Sequence, residues 1–444
     1  MKNKLIKGLI AMVILGLVSL PVYSGGKQES PKPAAGESKT IVVAINEAPW
    51  LPGFRALAKK YEQETGVKID IRAFPFGTLI ERALNAAMTE KSEFDIVTMN
   101  ESIAPRFYDG GLLTPLKEID VSYQPDREIL EYAGLSYWNK AKKETIKEGG
   151  ILYSLPINGN IQIFYYRKDL YDAAGLPAPK TWDDVMAAAD KLQDKSKNFY
   201  GYSIRGQKAT LSISWDWYPF LKSCGGDIFK NAPDDYTVTL NTPEARKALE
   251  VYKKLASQYS PPNVANIGQS EQIALLSSGQ LLQTVVVAGA FAQMDDPKSS
   301  SVPFKIGYTV VPRIAGGKHA VNTGVLCMGI PHNAEKGKKA DSLNFLKWYT
   351  SKDSQQFFAE NGGVPIRSDA MDSKGKKELR FLDAVAASAD STVSMPRIPI
   401  YTQIDSILES RLNEYIAGSL TTDQVMEFMQ KEVTDVMKRE GYIK

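Results

Sequence analysis

Amide, acid and aromatic side chains gather at a few short positions of this chain. Glu47 and Trp50 follow the apolar run Ile41–Ile45, and Asn100 and Glu101 follow Phe94–Met99. Asn158 and Asn160 flank Gly159 inside an otherwise apolar stretch, and Trp215, Asp216, Trp217, Tyr218 and Phe220 crowd one segment. Rings beside amides and carboxylates suit a sugar-like ligand: its C–H faces stack on aromatic surfaces and its hydroxyls need donors and acceptors. For any single tryptophan, core packing is an equal account; the collection carries the reading.

Other chemistries lack their residues. The two histidines, His319 and His332, sit in no HExxH motif and have no Cys or carboxylate neighbours at metal-ligand spacing, so no metal and no cofactor is expected. There is no G-x-S-x-G elbow, Walker loop or G-x-G-x-x-G fingerprint. The acid pairs Asp183-Asp184, Asp234-Asp235 and Asp295-Asp296 could in principle serve a glycosidase. Adjacent acids on a helix or turn point apart, however, and read better as caps and solvated turns. An acid pair assembled by folding stays open at this stage.

The elements that would position these residues alternate in type. Ile41–Ile45 is a continuous apolar run, as in a strand buried on both faces. Phe54, Leu57, Ala58 and Tyr61 space a helix that ends at Gly66; Val67–Ile71 is a strand, Leu79–Met88 a helix and Phe94–Met99 a strand. This βαβαβ rhythm implies a parallel sheet. It resumes after residue 155. Thr181 and Asp184 form a capping-box pair, Thr242-Pro243-Glu244 opens a helix, and Leu281–Val287 and Ile306–Val311 read as strands. Asp341–Trp348 and Ser354–Glu360 are helical, and Thr422–Arg439 carries a core stripe of Val425, Met426, Met429, Val433 and Met437. In open sheets of this kind ligands sit beyond the carboxyl ends of the strands.

The 444 residues are 43% apolar and 24% charged, enough for two globular domains. Lys2, Lys4 and Lys7, the run Leu9–Val18 and Val22-Tyr23-Ser24 pattern as a signal peptide over 1–24; the run is shorter than the roughly 20 residues of a membrane span. Residues 25–39 read as a disordered leader. Loss of 1–24 leaves 51 basic against 51 acidic residues, which gives no electrostatic case for nucleic acid or anionic membrane. No cysteine stands near the cleavage site to be acylated, so a soluble exported protein, periplasmic or otherwise extracytoplasmic, is expected.

The string Leu152-Tyr153-Ser154-Leu155-Pro156, then Phe164-Tyr165-Tyr166-Arg167-Lys168-Asp169-Leu170, Ala174-Gly175-Leu176-Pro177 and Lys180-Thr181-Trp182-Asp183-Asp184, resembles one family pattern. It is that of the extracellular solute-binding proteins of ABC importers, in the branch that contains maltose-binding protein. Tyr61–Val67, Phe94–Val97, Gly110–Leu116, Ile306–Pro312, Phe345–Thr350 and Met395–Pro399 agree in the same order, so the resemblance spans about residues 40–440. The Leu152–Asp184 stretch is specific; each other piece alone is weak.

The resemblance implies an α/β, two-lobed periplasmic-binding-protein fold, with a central sheet flanked by helices in each lobe and a hinge between them. It sets the first lobe at 40–155 plus 311–366 and the second at 156–310 plus 367–444, with the crossing at Leu155-Pro156 and Ile157 in the second lobe's core. Cys224 and Cys327 then fall in different lobes, where a disulfide would lock the hinge, so free thiols are expected. The implied function is capture of a sugar or oligosaccharide in the interlobe cleft and delivery to an ABC permease by a monomer, with no bond made or broken. By resemblance the ligand contacts are Glu47, Trp50, Asn100, Glu101, Asn158, Asn160, Trp215, Trp217, Phe291 (where relatives usually carry Trp), Asn322 and Tyr401. The residues themselves leave open a non-sugar solute, such as a polyol, glycerophosphodiester or peptide, and an exported carbohydrate-active enzyme.

Overall fold

The computed structural model describes residues 39–370 and 379–444. The expected signal peptide, and all of the expected leader except Lys39, lie outside them. Ile41–Ile45 of the strand Thr40–Asn46 are all apolar because both faces of the strand are covered. Ile41, Val43 and Ile45 pack with Phe54 and Leu57 of the helix Leu51–Thr65, while Ala44 packs in a second core with Leu79 and Ala83 of the helix Phe76–Met88. Gly66 ends the first helix at φ 74°, with its N–H donated to Glu62 O; a side chain there would be strained.

Lys68–Phe74, Thr40–Asn46 and Ile96–Asn100 lie side by side and parallel, as the rhythm predicts. Leu326–Gly329 then joins antiparallel to Ile96–Asn100, and Ser154–Asn158 closes the edge. Leu155, Pro156 and Ile157 therefore belong to the first sheet, not to the crossing and the second lobe. A proline is tolerated there because the strand is at the sheet edge, where a missing N–H costs least. The chain crosses after Asn158. Gly159 serves that crossing by close approach: a Cβ on it would lie 2.5 Å from Tyr132 Oη and 2.9 Å from Pro365 O.

The second sheet is Gln283–Val287, Gln162–Arg167 and Ile306–Thr309, all antiparallel. Its parallel neighbours are single bridges at Tyr200–Leu281 and Ser203–Thr284. The two sheets with their flanking helices form the two lobes. Helix signals read from the sequence appear in place. Thr181 and Asp184 make a full capping box, Thr242 accepts from the N–H of Ala245, and all five stripe residues of Thr422–Arg439 are buried. Cys327 lies in the first sheet and Cys224 ends the helix Ile213–Ser223; both are free thiols. Among the described residues no helix is long and apolar enough to cross a membrane.

Candidate functional site

A cavity of about 450 Å³ opens beyond the carboxyl ends of the first sheet's strands. Asn46–Trp50 and Pro75–Gly77, each following a strand, and Asn100, which ends one, form one wall. Asn160 and Gly324, on the segments that link the two sheets, also line it, and Arg205, Ala209–Ser212, Trp215 and Gln269–Glu271 form the facing wall. A further space of about 620 Å³ shares Glu47, Ala48, Pro49, Gln269 and Ser270 with it, so the cleft widens toward Asp296 and Asn361. A larger cavity, about 800 Å³, lies elsewhere, among residues 131–148, 218–236 and 392–398.

Satisfaction of polar groups separates the two. Four of the residues lining the strand-end cavity carry a buried polar atom without a protein partner: Asn46 Oδ1, Trp50 Nε1, Asn160 Oδ1 and Arg205 Nε. The larger cavity has one such residue, Arg397. An unpaired buried polar atom costs roughly 1–3 kcal/mol, so four among the residues around one cavity set it apart from the other.

Five of the expected contacts, Glu47, Trp50, Asn100, Asn160 and Trp215, are brought to this cavity. Trp50 is nearly enclosed, edge-on to Phe54 and Phe358. Trp215 has the Arg205 guanidinium 4.7 Å from its ring centre, and its Nε1–H is donated to Thr323 O at 3.0 Å. Asn100 Oδ1 accepts the N–H of Ile103, closing the turn after its strand.

The other six are placed differently. Trp217 is two residues from Trp215 on one helix, and such neighbours face opposite ways; it is fully buried in the core. Glu101 is buried and ion-paired with Arg397, and it also accepts from Thr323 Oγ1 and Ser394 Oγ. Asn158 Oδ1 accepts the N–H of Val364 at 3.1 Å. Phe291 stacks on Phe381 at 4.0 Å, and Tyr401 is fully buried at the start of its helix. Asn322 has a structural task. Pro219 lacks the N–H that would reach Trp215 O, and Asn322 Nδ2 donates to that freed carbonyl at 3.0 Å.

Residues that the sequence reading missed are Asn46, Arg205 and Gln269. Asn46 ends an apolar strand, a legible position; Arg205 has no local signal. Arg205 donates its backbone N–H to Asp216 Oδ2 (3.0 Å) and its guanidinium to Gln269 Oε1 (2.7 Å). Burial pushes the Asp216 carboxyl up to about 6, against the pull of Arg205, and burial lowers Arg205. Glu271 accepts the N–H of Gly268, capping its own helix. The cavity thus offers mixed donors and acceptors around one buried cation. Among the described residues no group of His, Cys, Asp and Glu is placed to hold a metal ion.

The chain is 26% identical, over 98% of both lengths, to a probable amino-acid ABC transporter periplasmic-binding protein of Sinorhizobium fredii. It is 24% identical to the mannitol-binding protein of Pseudomonas aeruginosa, over 82% of this chain and 85% of that one. A solute-binding protein of Agrobacterium radiobacter K84, crystallised with ribitol, has a TM-score of 0.79 and 26% identity, over 90% of this chain and 98% of that one. The model of the family "Bacterial extracellular solute-binding protein" matches residues 44–356. The chain belongs to the bacterial extracellular solute-binding proteins, and it is a binding protein of the ABC-transporter type rather than an enzyme.

Proposed function

We propose that the solute is a polyol or small sugar, held in the 450 Å³ cavity between the lobes. One observation carries this reading. The unpaired atoms comprise two donors, Trp50 Nε1 and Arg205 Nε, and two acceptors, Asn46 Oδ1 and Asn160 Oδ1. Hydroxyl groups both donate and accept, so a polyhydroxylated chain or ring satisfies such a mixed set without a net charge. The ribitol bound by the Agrobacterium relative and the mannitol of the Pseudomonas relative's name support the same class. The volume suits a ligand of that size.

The donors and acceptors come from both lobes and from a crossing segment, so solute binding favours the arrangement in which the lobes are close. We assign the division between lobes to the segments Gly159–Ile161 and Val310–Val325, which link strands of the two sheets. The solute-loaded form is the one an ABC permease receives, and the chain acts outside the cytoplasm as an exported monomer.

Isothermal titration of the protein with ribitol, D-mannitol, D-tagatose and maltose tests the reading. The expected result is one-to-one binding of at least one of them, with the solute recovered intact. Asn160→Ala should weaken that binding by roughly 3- to 10-fold, the worth of one hydrogen bond. Binding of an amino acid and of none of the four would overturn the ligand class.

A further inference from the structure

The second-lobe wall of the cleft rests on an unusual support. Asp405 and Glu409 lie one turn apart on one face of the helix Tyr401–Ala417, and both are buried. Glu409 Oε1 accepts the backbone N–H groups of Ser212 (2.7 Å) and Ser214 (3.0 Å), and Oε2 accepts those of Ala209 (3.0 Å) and Ile213 (3.3 Å). Asp405 Oδ2 accepts the N–H of Leu211 (3.0 Å), and Oδ1 accepts the hydroxyl of Ser214 (2.6 Å). Five of the six amides of the segment 209–214 are thus held by two side chains from another helix.

That segment is both cleft wall and helix start. Ala209, Thr210, Leu211 and Ser212 line the cavity, and Ile213 opens the helix that carries Trp215 and Asp216, the residue that fixes Arg205. The first amides of a helix have no partners within it and attract negative charge. Leu211 sits at φ 51°, a conformation costly to a leucine and stable only where its surroundings impose it. Burying two carboxylates side by side is itself unfavourable: burial pushes both carboxyls up, and for Glu409 repulsion from Asp405 adds to it. Stability alone gives a poor reason for such an arrangement, since apolar side chains would fill the same space more cheaply.

We propose that Glu409 and Asp405 are positioning residues for the solute, fixing the 209–214 segment and through it Trp215 and Arg205; this rests on the reading of the strand-end cavity as the solute site. The two carboxylates are not equivalent. Glu409 uses each oxygen for two N–H donors, so the amide of Glu409→Gln turns its NH₂ toward one pair whichever way it is placed. Asp405→Asn keeps both bonds, because its oxygen accepts from Leu211 and its NH₂ donates to the Ser214 hydroxyl.

The test measures backbone amide hydrogen exchange without solute and affinity by titration, in the wild type, Glu409→Gln, Asp405→Asn and Leu343→Ala, a core variant in the helix Lys336–Tyr349 of the first lobe. In the wild type, amides 209 and 211–214 are expected to be protected. Glu409→Gln should speed their exchange at least ~10-fold, in the range of local opening, and weaken binding of the best of the four probe solutes about 10-fold. Asp405→Asn should do neither. Leu343→Ala should lower the melting temperature and leave both unchanged. Free exchange of 209–214 in the wild type, or a Glu409→Gln variant with unchanged exchange and affinity, overturns the proposal. If Glu409→Gln does not fold, the wild-type exchange still decides. If the wild type binds none of the four solutes, the ligand reading fails while the exchange result stands apart from it.

Discussion

Trp215 and Trp217 show how much one residue's direction decides. They have the same side chain and neighbouring numbers, yet one lines the cleft and the other fills the core. Trp217→Phe should lower the melting temperature and leave solute affinity unchanged, because it removes buried ring volume away from the cavity. Trp215→Phe should weaken binding by roughly 10-fold, because the ring that holds Arg205 shrinks and loses its N–H bond to Thr323 O. Thermal denaturation and titration of the two variants check the contrast, and equal affinity losses would contradict it. The sequence offered this pair as one aromatic wall. The helix that separates the two rings was not legible there, since the Pro219 inside it argues against a helix at all. Arg205 was invisible for a different reason: a lone arginine in a loop acquires meaning only from Trp215, Gln269 and Asp216, which lie distant in the chain or across a turn.

At the scale of elements, strands, helices and caps could be read from spacing because they are local. The Phe54–Tyr61 periodicity, the Thr181–Asp184 box and the Val425–Met437 stripe all needed only their own neighbours. Junctions between elements could not be read that way. The crossing was expected at Pro156, where a proline seemed to stiffen it, but the strand continues to Asn158 because the edge of the first sheet tolerates that proline. Glu101 illustrates the consequence. It follows a strand, as a ligand contact would, but its carboxylate binds Arg397, Thr323 and Ser394 and so ties the first sheet to two segments near the hinge. Glu101→Gln leaves the partly buried Arg397 without its counter-ion, which should cost about 1–3 kcal/mol of stability. Urea denaturation would measure it, and a loss below about 1 kcal/mol would mean that the pair contributes little to holding the hinge segments.

For the whole molecule, function follows from where two sheets present their ends. Each sheet is covered by its own helices, and four residues around the strand-end cavity carry a polar atom that the protein leaves unpaired. In the proposed binding mode a solute would pair Asn46 and Trp50 on one side with Arg205 on the other and so link the lobes. The most direct test is a crystal structure of the protein with the tightest-binding of ribitol, D-mannitol, D-tagatose and maltose. The account predicts solute hydroxyls within hydrogen-bond distance of Arg205 Nε and Asn160 Oδ1, between the two lobes. A solute bound instead in the 800 Å³ cavity beside Arg397, with the strand-end cleft empty, would contradict it.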